Sequence, residues 1–374
     1  MNLLLFSFTF IFVFALLNIY ISKRLIKKLD LKKALKDGFN IFLIINFLGI
    51  IGYMLGRYYI NIPSWLYFLL SVPIGIIFLL FCATLFYDIS LFILFRLPLS
   101  RSRRDFFKRS LDISTLGAAL VLNVKGMVEA RKIEIEKVEV QINHLKSPYK
   151  LNQLSDLHIG GVVGESFIRE VVEKSNAMNP DLVVITGDLV DIDVKSAALA
   201  LDALKNLHSR YGIYYIVGNH EYFHGIEKII EALKLRGIRV LENESVYIGK
   251  KDAGFNLAGV YDLFGYRMGS YEPNLSQALA QKVTESPTVL LAHQPKFIYE
   301  VKSGVDLMLS GHTHGGQIYP FRFLVALNQP YISGLHQHTK ELQIYVSKGT
   351  GFWGPPMRLG ASSEITCMTL VPTK

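Results

Sequence analysis

Hydrophobic and polar residues are arranged differently in the first third of this chain and in the rest of it. Three long apolar stretches carry few charged residues: residues 3–22, 39–59 and 66–95. Each is long enough to cross the ~30 Å hydrocarbon core of a bilayer as a helix. Residues 1–109 are therefore predicted to form an all-α membrane region with three transmembrane helices. A weaker apolar stretch, residues 113–124 within the segment 110–127, is short for a full span and forms a fourth apolar segment.

From residue 128 onward the pattern is that of a folded domain. Residues 129–143 alternate charged and apolar side chains with the period of two that is typical of a half-buried edge strand. Short apolar strands then alternate with helical segments, so we expect a layered α/β (α+β) domain over residues 128–374. The main strands are expected at Tyr149–Leu154, Leu182–Ile185, Ile213–Val217, Val289–Ala292 and Leu307–Leu309, and helices at Phe167–Met178, Ala197–Leu207 and Ile226–Leu235.

The positive charge of the chain is concentrated in its membrane region. Of the net charge of +9, residues 1–127 contribute +10 and residues 128–374 contribute −1. Two basic clusters, within residues 23–36 and 96–109, are expected on the cytoplasmic side of the membrane by the positive-inside rule. No nucleic-acid partner is expected, because that would require the basic patch to lie on the folded domain.

The side of the membrane that holds the C-terminal domain depends on the segment after the third helix. Ser102–Lys108, with the pair Arg103 and Arg104, resembles a bacterial twin-arginine export motif, and a weakly apolar stretch follows it. We therefore expect a multi-pass protein of the bacterial inner membrane with an extracytoplasmic domain. The alternative is a basic juxtamembrane loop that leaves the domain in the cytoplasm.

Residues of the types that bind metals follow five of the predicted strands. They are Asp156 and His158, Asp188, Asn219 and His220, His293, and His312 and His314. Open α/β sheets place their sites beyond the carboxyl ends of strands, so these side chains are expected to converge. Mixed carboxylate, amide and imidazole ligands suit divalent Mn, Fe or Zn, whereas the absence of thiolate argues against a closed structural zinc site.

Two such metals would support hydrolysis of a phosphoester. The two oxygens of the Asp188 carboxylate can each bind one metal. Metals ~3.5–4 Å apart clamp the attacking and leaving oxygens of an in-line displacement. They also lower the pKa of a bridging water, which gives a hydroxide nucleophile. His220 would donate a proton to the leaving alkoxide, so His220 and Asp188 are the candidate catalytic residues.

The ordered motifs Asp-x-His, Gly-Asp, Gly-Asn-His-Glu, His and Gly-His-x-His resemble those of the calcineurin-like metallophosphoesterase superfamily, over residues 145–374. The resemblance implies a sandwich of two β-sheets flanked by helices (αββα). It implies that one metal ion is bound by Asp156, His158, Asp188 and His314. It implies that a second metal ion is bound by Asp188, Asn219, His293 and His312, with His220 as the catalytic histidine.

The sequences around the last motifs narrow this resemblance. Ser310–Ile318, Gly349–Gly351 and Pro355–Arg358 resemble the YaeI/YkuE-like branch of phosphodiesterases, which includes enzymes that cleave the diphosphate of UDP-2,3-diacylglucosamine. Together with the membrane region, this predicts a membrane-anchored phosphodiesterase or pyrophosphatase that acts on a lipid-linked phosphoester, with membrane lipids as partners. The alternatives are the same chemistry on a soluble nucleotide or cell-wall phosphodiester, and a non-catalytic membrane sensor that binds metal.

Several residues near the motifs are open to two interpretations. Arg358 is a candidate phosphate contact, since a guanidinium pairs two phosphate oxygens, or it forms a surface salt bridge. Asp191 and Asp193 are expected in a solvated loop. Glu221 is expected to support the site without binding metal, and Asp262 either supports the site or occupies a turn. Aromatic residues around the last two motifs either pack in the core, the commoner case, or form an apolar rim that touches lipid: Phe321, Phe323, Tyr331, Phe352 and Trp353.

Overall fold

The structure is a computed structural model that describes residues 3–58, 60 and 62–373. The chain divides into two compact units. Unit 1 comprises Met1–Glu129 and the loop Gly354–Leu359, and unit 2 comprises Ala130–Trp353 and Gly360–Lys374. The second unit carries the predicted metal ligands.

Unit 1 contains four long apolar helices among its described residues. They are α1 (Leu3–Ile21, continued by a π-helical turn, Ser22–Ile26), α2 (Lys33–Tyr58), α3 (Ser64–Leu94) and α4 (Arg101–Glu129). All four are long and apolar enough to cross a membrane. The first three match the predicted spans. The fourth corrects the expectation of a short segment at residues 113–124, because the helix extends from Arg101 and includes the arginine pair in its first turn.

Two carboxylates of unit 1 are held by polar side chains. Asp88 accepts hydrogen bonds from the Tyr20 hydroxyl at 2.9 Å and Lys28 Nζ at 2.8 Å. Asp112 accepts from the Tyr87 hydroxyl at 2.6 Å and Lys108 Nζ at 2.7 Å. A carboxylate within apolar helices is costly unless it is paired, so these contacts are what allow the two acidic residues to lie there.

The loop Gly354–Leu359 packs with the helices of unit 1. The Arg358 backbone N–H donates to the Gly126 carbonyl on α4 at 2.9 Å, and the Met357 side chain occupies the position where a Cβ on Gly75 would lie. The Arg358 side chain is fully buried. The interpretation of Arg358 as a surface salt bridge is therefore wrong.

Unit 2 contains twelve strands and seven short helices among its described residues. The strands are β1 (Ile133–Ile142), β2 (Tyr149–Leu154), β3 (Leu182–Thr186), β4 (Ile213–Ile216), β5 (Arg239–Val240), β6 (Glu244–Ile248), β7 (Phe255–Gly259), β8 (Thr288–Leu291), β9 (Leu307–Ser310), β10 (Gly334–Gln337), β11 (Gln343–Val346) and β12 (Ser363–Pro372). The helices are α5 (Glu165–Ala177), α6 (Ala198–Ala203), α7 (Glu221–His224), α8 (Ile226–Lys234), α9 (Gly265–Met268), α10 (Leu275–Leu279) and α11 (Arg322–Ala326).

These strands form two mixed six-stranded sheets. The first has the order β1-β12-β2-β3-β4-β5, and the second has the order β10-β11-β9-β8-β7-β6. In the first sheet β2, β3, β4 and β5 are parallel. In the second sheet β7, β8, β9 and β11 are parallel. Strand β1 lies at an edge, as its alternating pattern predicts.

The two sheets face each other across an apolar core, and helices cover their outer faces. Val184 and Tyr214 of the first sheet share this core with Leu257 and Leu309 of the second sheet. Helices α5, α6 and α8 pack on the outer face of the first sheet. Helix α10 and the 3₁₀ segment Pro295–Glu300 pack on the outer face of the second sheet. The predicted αββα sandwich is confirmed.

Candidate metal centre

The candidate ligands lie just beyond the carboxyl ends of five strands. In the first sheet, parallel strands β2, β3 and β4 are followed by Asp156, Asp188 and Asn219. In the second sheet, parallel strands β8 and β9 are followed by His293 and His312. Because parallel strands end at the same edge of a sheet, the topology brings the five motifs to one place.

The ligand-bearing turns are tight, and several candidate ligands adopt left-handed backbone conformations. The φ angles are 53° for Asp156, 50° for His158, 48° for Asp188, 71° for His312 and 50° for His314. Such conformations cost a non-glycine residue on the order of 1–3 kcal/mol each. The surrounding hydrogen bonds must offset this cost and hold the turns. The unfavourable backbone conformations direct the ligand side chains towards one another.

The glycines that precede the ligands are required by close approach. A Cβ on Gly218 would overlap the Asp188 carboxylate, and a Cβ on Gly311 would overlap the Asp156 carboxylate. The absent side chains let the carboxylates lie against the neighbouring backbone. The His312 N–H then donates to Asp156 Oδ1 at 2.9 Å, and the His220 N–H donates to Asp188 Oδ1 at 2.9 Å.

One group of ligand atoms consists of Asp156, His158 and His314, whose atoms lie within 4.8 Å of one another. His158 Nε2 is 3.0 Å from His314 Nε2, and His314 Nε2 is 3.5 Å from Asp156 Oδ1. Two imidazole nitrogens and a carboxylate oxygen thus converge on one point, which is the arrangement that a divalent cation requires.

A second group consists of Asp188, His293 and His312, again within 4.8 Å of one another. His293 Nδ1 lies 2.7 Å from the Thr186 carbonyl. Donation from Nδ1 to that carbonyl fixes the ring with Nε2 directed at Asp188 Oδ2, 3.1 Å away. Burial and the nearby His293 together lower the pKa of His312 to about 3, so His312 is a neutral imidazole.

One buried atom of the site, Asn219 Oδ1, has no hydrogen-bond partner among the described residues. A buried acceptor without a partner costs ~1–3 kcal/mol. Burial lowers the pKa of His293, but the carboxylates of Asp188, Asp156 and Asp262 outweigh burial and raise it well above its usual value. An unsatisfied acceptor within a negative field fits a cation site, and the residues present therefore fit the divalent metals that the motifs imply.

Asp191 corrects one prediction and adds a residue that the sequence interpretation missed. Its side chain is only 10% exposed, and Oδ1 lies 2.9 Å from His158 Nδ1 and 2.6 Å from His220 Nδ1. It is therefore not in a solvated loop. Burial raises the pKa of Asp191, but His220 and His158 outweigh burial and hold it well below its usual range. The position of Asp191 three residues after Asp188 was the available signal.

His220 is held beside the ligand groups. Its Nδ1 faces the Asp191 carboxylate, and its Nε2 is 3.8 Å from Asp188 Oδ2. The ring centroid lies 6.1 Å from that of Trp353 and 6.5 Å from that of Phe223. One carboxylate thus orients the imidazole, and aromatic side chains flank it.

Glu221 and Asp262 bind the backbone and side chains around the site. The buried Glu221 carboxylate accepts backbone N–H groups of Gly218 at 2.7 Å and Leu189 at 2.7 Å, which fastens the second and third motif turns together. Asp262 Oδ1 accepts from the Gln294 side chain at 2.8 Å. Arg358, by contrast, belongs to unit 1 and not to the unit that carries this centre.

Comparison with known proteins agrees with this geometry. Residues 149–316 match the calcineurin-like phosphoesterase family. An uncharacterised metallophosphoesterase of Helicobacter pylori is 38% identical over 375 aligned positions, which cover 99% of both chains. A zebrafish (Danio rerio) protein described as a transmembrane protein with a metallophosphoesterase domain is 37% identical over 264 positions, covering 67% of this chain and 60% of its own.

Among solved structures, an archaeal phosphodiesterase aligns with 54% of this chain and 84% of its own, at 15% identity and a TM-score of 0.30. The full-length similarity to the bacterial relative includes the apolar helices as well as the sandwich. The helices and the transmembrane relative indicate a membrane protein. The chain belongs to the calcineurin-like metallophosphoesterase family and is a metal-dependent phosphoester hydrolase.

Proposed function

We propose that this protein is a membrane-anchored phosphodiesterase or pyrophosphatase that uses two divalent metal ions to hydrolyse a lipid-linked phosphoester. The observation that carries the proposal is the convergence of two ligand groups on one carboxylate. Asp188 Oδ2 is 3.1 Å from His293 Nε2 of one group and 4.0 Å from His158 Nε2 of the other. A carboxylate in this position is suited to bridge two ions.

The residues divide into two ligand sets that share Asp188. Asp156, His158 and His314 would hold one ion together with Asp188, and Asn219, His293 and His312 would hold the other. Oxygen and imidazole donors suit Mn, Fe or Zn. When bound, two such ions supply charge stabilisation for both the attacking and the leaving oxygens of an in-line displacement.

His220 would deliver the proton that the leaving oxygen needs. Its Nδ1 is 2.6 Å from the ionised Asp191, which stabilises the protonated ring and fixes its orientation. Its Nε2 faces the side of the ligand groups. A proton held at Nε2 can pass to the departing alkoxide or phosphate as the phosphorus–oxygen bond breaks.

A lipid-linked substrate is proposed because the domain is tied to four helices that can cross a membrane. One basic cluster, residues 23–36, surrounds the turn between α1 and α2, and the other, residues 96–109, extends from the loop after α3 into the first turns of α4. With both clusters in the cytoplasm, four crossings put the phosphoesterase unit on the extracytoplasmic side of a bacterial inner membrane. This topology needs no twin-arginine export step, since α4 itself supplies the fourth crossing.

The test is hydrolysis by the purified full-length protein with Mn²⁺, using a water-soluble phosphodiester and a lipid phosphodiester in vesicles. We expect both to be cleaved, the lipid ester with the higher kcat/KM, and expect Asp188→Asn and His220→Ala to lose activity. Equal kcat/KM values would favour the alternative of a soluble nucleotide or wall phosphodiester. Metal binding without hydrolysis of either ester would favour a sensor.

A further inference from the structure

A segment that follows the last candidate ligand exposes a run of large apolar side chains. These are Tyr319, Phe321, Phe323, Leu324 and Leu327, which we call the apolar segment. Phe323 is 62% exposed and Leu327 is 84% exposed. Helix α11, at the centre of the segment, has no buried residue among those described. A helix normally forms by burying one face, whereas this helix leaves the apolar side chains of Phe323 and Leu324 exposed.

The apolar segment also presents no exposed acidic charge. Between residues 318 and 333 the only charged residue is Arg322. Its guanidinium donates to the Gly315 carbonyl at 3.3 Å and to the Ser333 hydroxyl at 3.2 Å, so the charge is directed at the unit's own backbone and side chains. Soluble domains cover or interrupt such surfaces, whereas a surface that enters the apolar edge of a bilayer has this composition.

Hydrogen bonds connect the base of this segment to the flank of the candidate proton donor. The Gln317 side-chain amide donates to the Trp353 carbonyl at 2.9 Å and accepts from the Trp353 N–H at 3.0 Å. The Trp353 ring stands edge-on to the His220 ring, with their centroids 6.1 Å apart. Trp353 is itself partly exposed, so the base of the segment is hydrogen-bonded to a partly exposed residue that flanks the candidate proton donor.

The short connection between α4 and β1 favours a lipid surface as the partner of the apolar segment. Only residues 130–132 separate the end of α4 from the start of β1. A linker of this length spans roughly 10 Å when extended. Unit 2 is therefore tethered close to the end of a helix that can cross a membrane.

We propose that the apolar segment inserts into the interfacial layer of the membrane and holds the mouth of the site at the level of lipid headgroups. Peripheral apolar elements enter this layer to a depth of ~5–10 Å. The proposal of insertion is based on the exposed apolar side chains of the segment, on its lack of acidic residues and on the short connection between unit 2 and α4. The further role of the inserted segment, presenting a lipid phosphoester to the site, rests on the proposed function.

The first test measures insertion without using activity. In a full-length protein with Cys82 and Cys367 replaced by alanine, Leu327→Cys is labelled with an environment-sensitive fluorophore and reconstituted into vesicles of phosphatidylcholine and phosphatidylglycerol. Leu235→Cys is the matched control, because Leu235 is 78% exposed at the end of α8. Lipids that carry a spin label on the acyl chain should quench the label at position 327 severalfold more than the label at position 235.

Equal quenching at the two positions would overturn the inference. A second result would also overturn it: fluorescence at position 327 that is not quenched by spin-labelled lipid but changes with the density of protein in the vesicle. That result would identify a second copy of the chain as the partner that covers the apolar segment.

The second test separates insertion from the substrate proposal. Leu327→Asp should lower kcat/KM for the lipid ester by roughly tenfold, the factor that burial of one large apolar side chain is worth. Hydrolysis of the water-soluble ester should be unchanged, and Leu235→Asp should change neither rate. An equal loss on both esters would overturn the presenting role. Strong quenching at position 327 combined with no lipid hydrolysis by the unmodified protein would support insertion and refute the lipid-linked substrate.

Discussion

Asp191→Asn is the substitution that probes the orientation of His220 most directly. It keeps the shape of the side chain and removes the negative charge. Asp191 Oδ1 lies 2.6 Å from His220 Nδ1 and 2.9 Å from His158 Nδ1, so the substitution weakens contacts to a candidate proton donor and to a candidate metal ligand at once. The low pKa of Asp191 means that the carboxylate is ionised at neutral pH.

The expected magnitude follows from the two contacts. A hydrogen bond to a charged group contributes about 2 kcal/mol. Loss of the contact to His220 should lower kcat by roughly 30-fold, because each 1.36 kcal/mol corresponds to about tenfold in rate. Loss of the contact to His158 should weaken metal binding by about 10–100-fold, as is found when the partner of a ligating histidine is removed. The two effects separate because saturating metal restores only the second.

The assay compares leaving groups at saturating Mn²⁺. A p-nitrophenolate ion departs without a proton, whereas an alkoxide requires one. Asp191→Asn and His220→Ala should therefore lose much more activity on an alkyl phosphodiester than on a p-nitrophenyl phosphodiester. Asp193→Asn is the matched control, because Asp193 is an exposed residue whose carboxylate accepts hydrogen bonds from the neighbouring residues Lys195 and Ser196. Equal losses on both esters would refute the role given to His220.

Three further predictions concern stability and metal dependence. Gly218→Ala should lower the free energy of unfolding by about 1–3 kcal/mol, measured by chemical denaturation, because its Cβ would overlap Asp188. Gly164→Ala, where a Cβ meets nothing within 4 Å, should cost no more than the ~1 kcal/mol of the N-cap preference at the start of α5. Removing metal with EDTA should lower Tm and abolish hydrolysis, and the stability recovered at 100 times Kd should be about 2.7 kcal/mol. Asp88→Asn should lower Tm in detergent by weakening the contact to Lys28, while Asp105→Asn, at an exposed residue, should leave it unchanged.

Most of the fold could be predicted because its strands are short, apolar and separated by helices. The last three strands could not. Strand β12 pairs with β1 in parallel and with β2 in antiparallel orientation, and these partners are more than 200 residues away in sequence. Its buried Glu364 also makes the strand hard to predict, since a buried carboxylate needs partners. These are Lys348 at 2.9 Å, the Tyr345 hydroxyl at 2.9 Å and the Thr366 hydroxyl at 3.0 Å. The local pattern of apolar and polar residues does not indicate such distant partners.

The candidate ligands could be identified because each sits in a short motif beyond a strand. Asp191 was missed because a loop aspartate has no pattern of its own, and its burial depends on two histidines from other motifs. A surface salt bridge was one of the two interpretations of Arg358, and arginine is seldom buried. Its actual place, fully buried in unit 1, depends on packing of a loop with distant helices.

The most direct test of whether hydrolysis requires two divalent metal ions is a metal titration of the full-length protein from which metal has been removed. Mn²⁺ is added in known equivalents while hydrolysis of a p-nitrophenyl phosphodiester is followed. We expect no hydrolysis without metal and a rate that rises to a plateau at two ions per chain. We expect no such rise for Asp188→Asn. Full activity without added metal, or an unchanged titration in Asp188→Asn, would contradict this requirement for two metal ions.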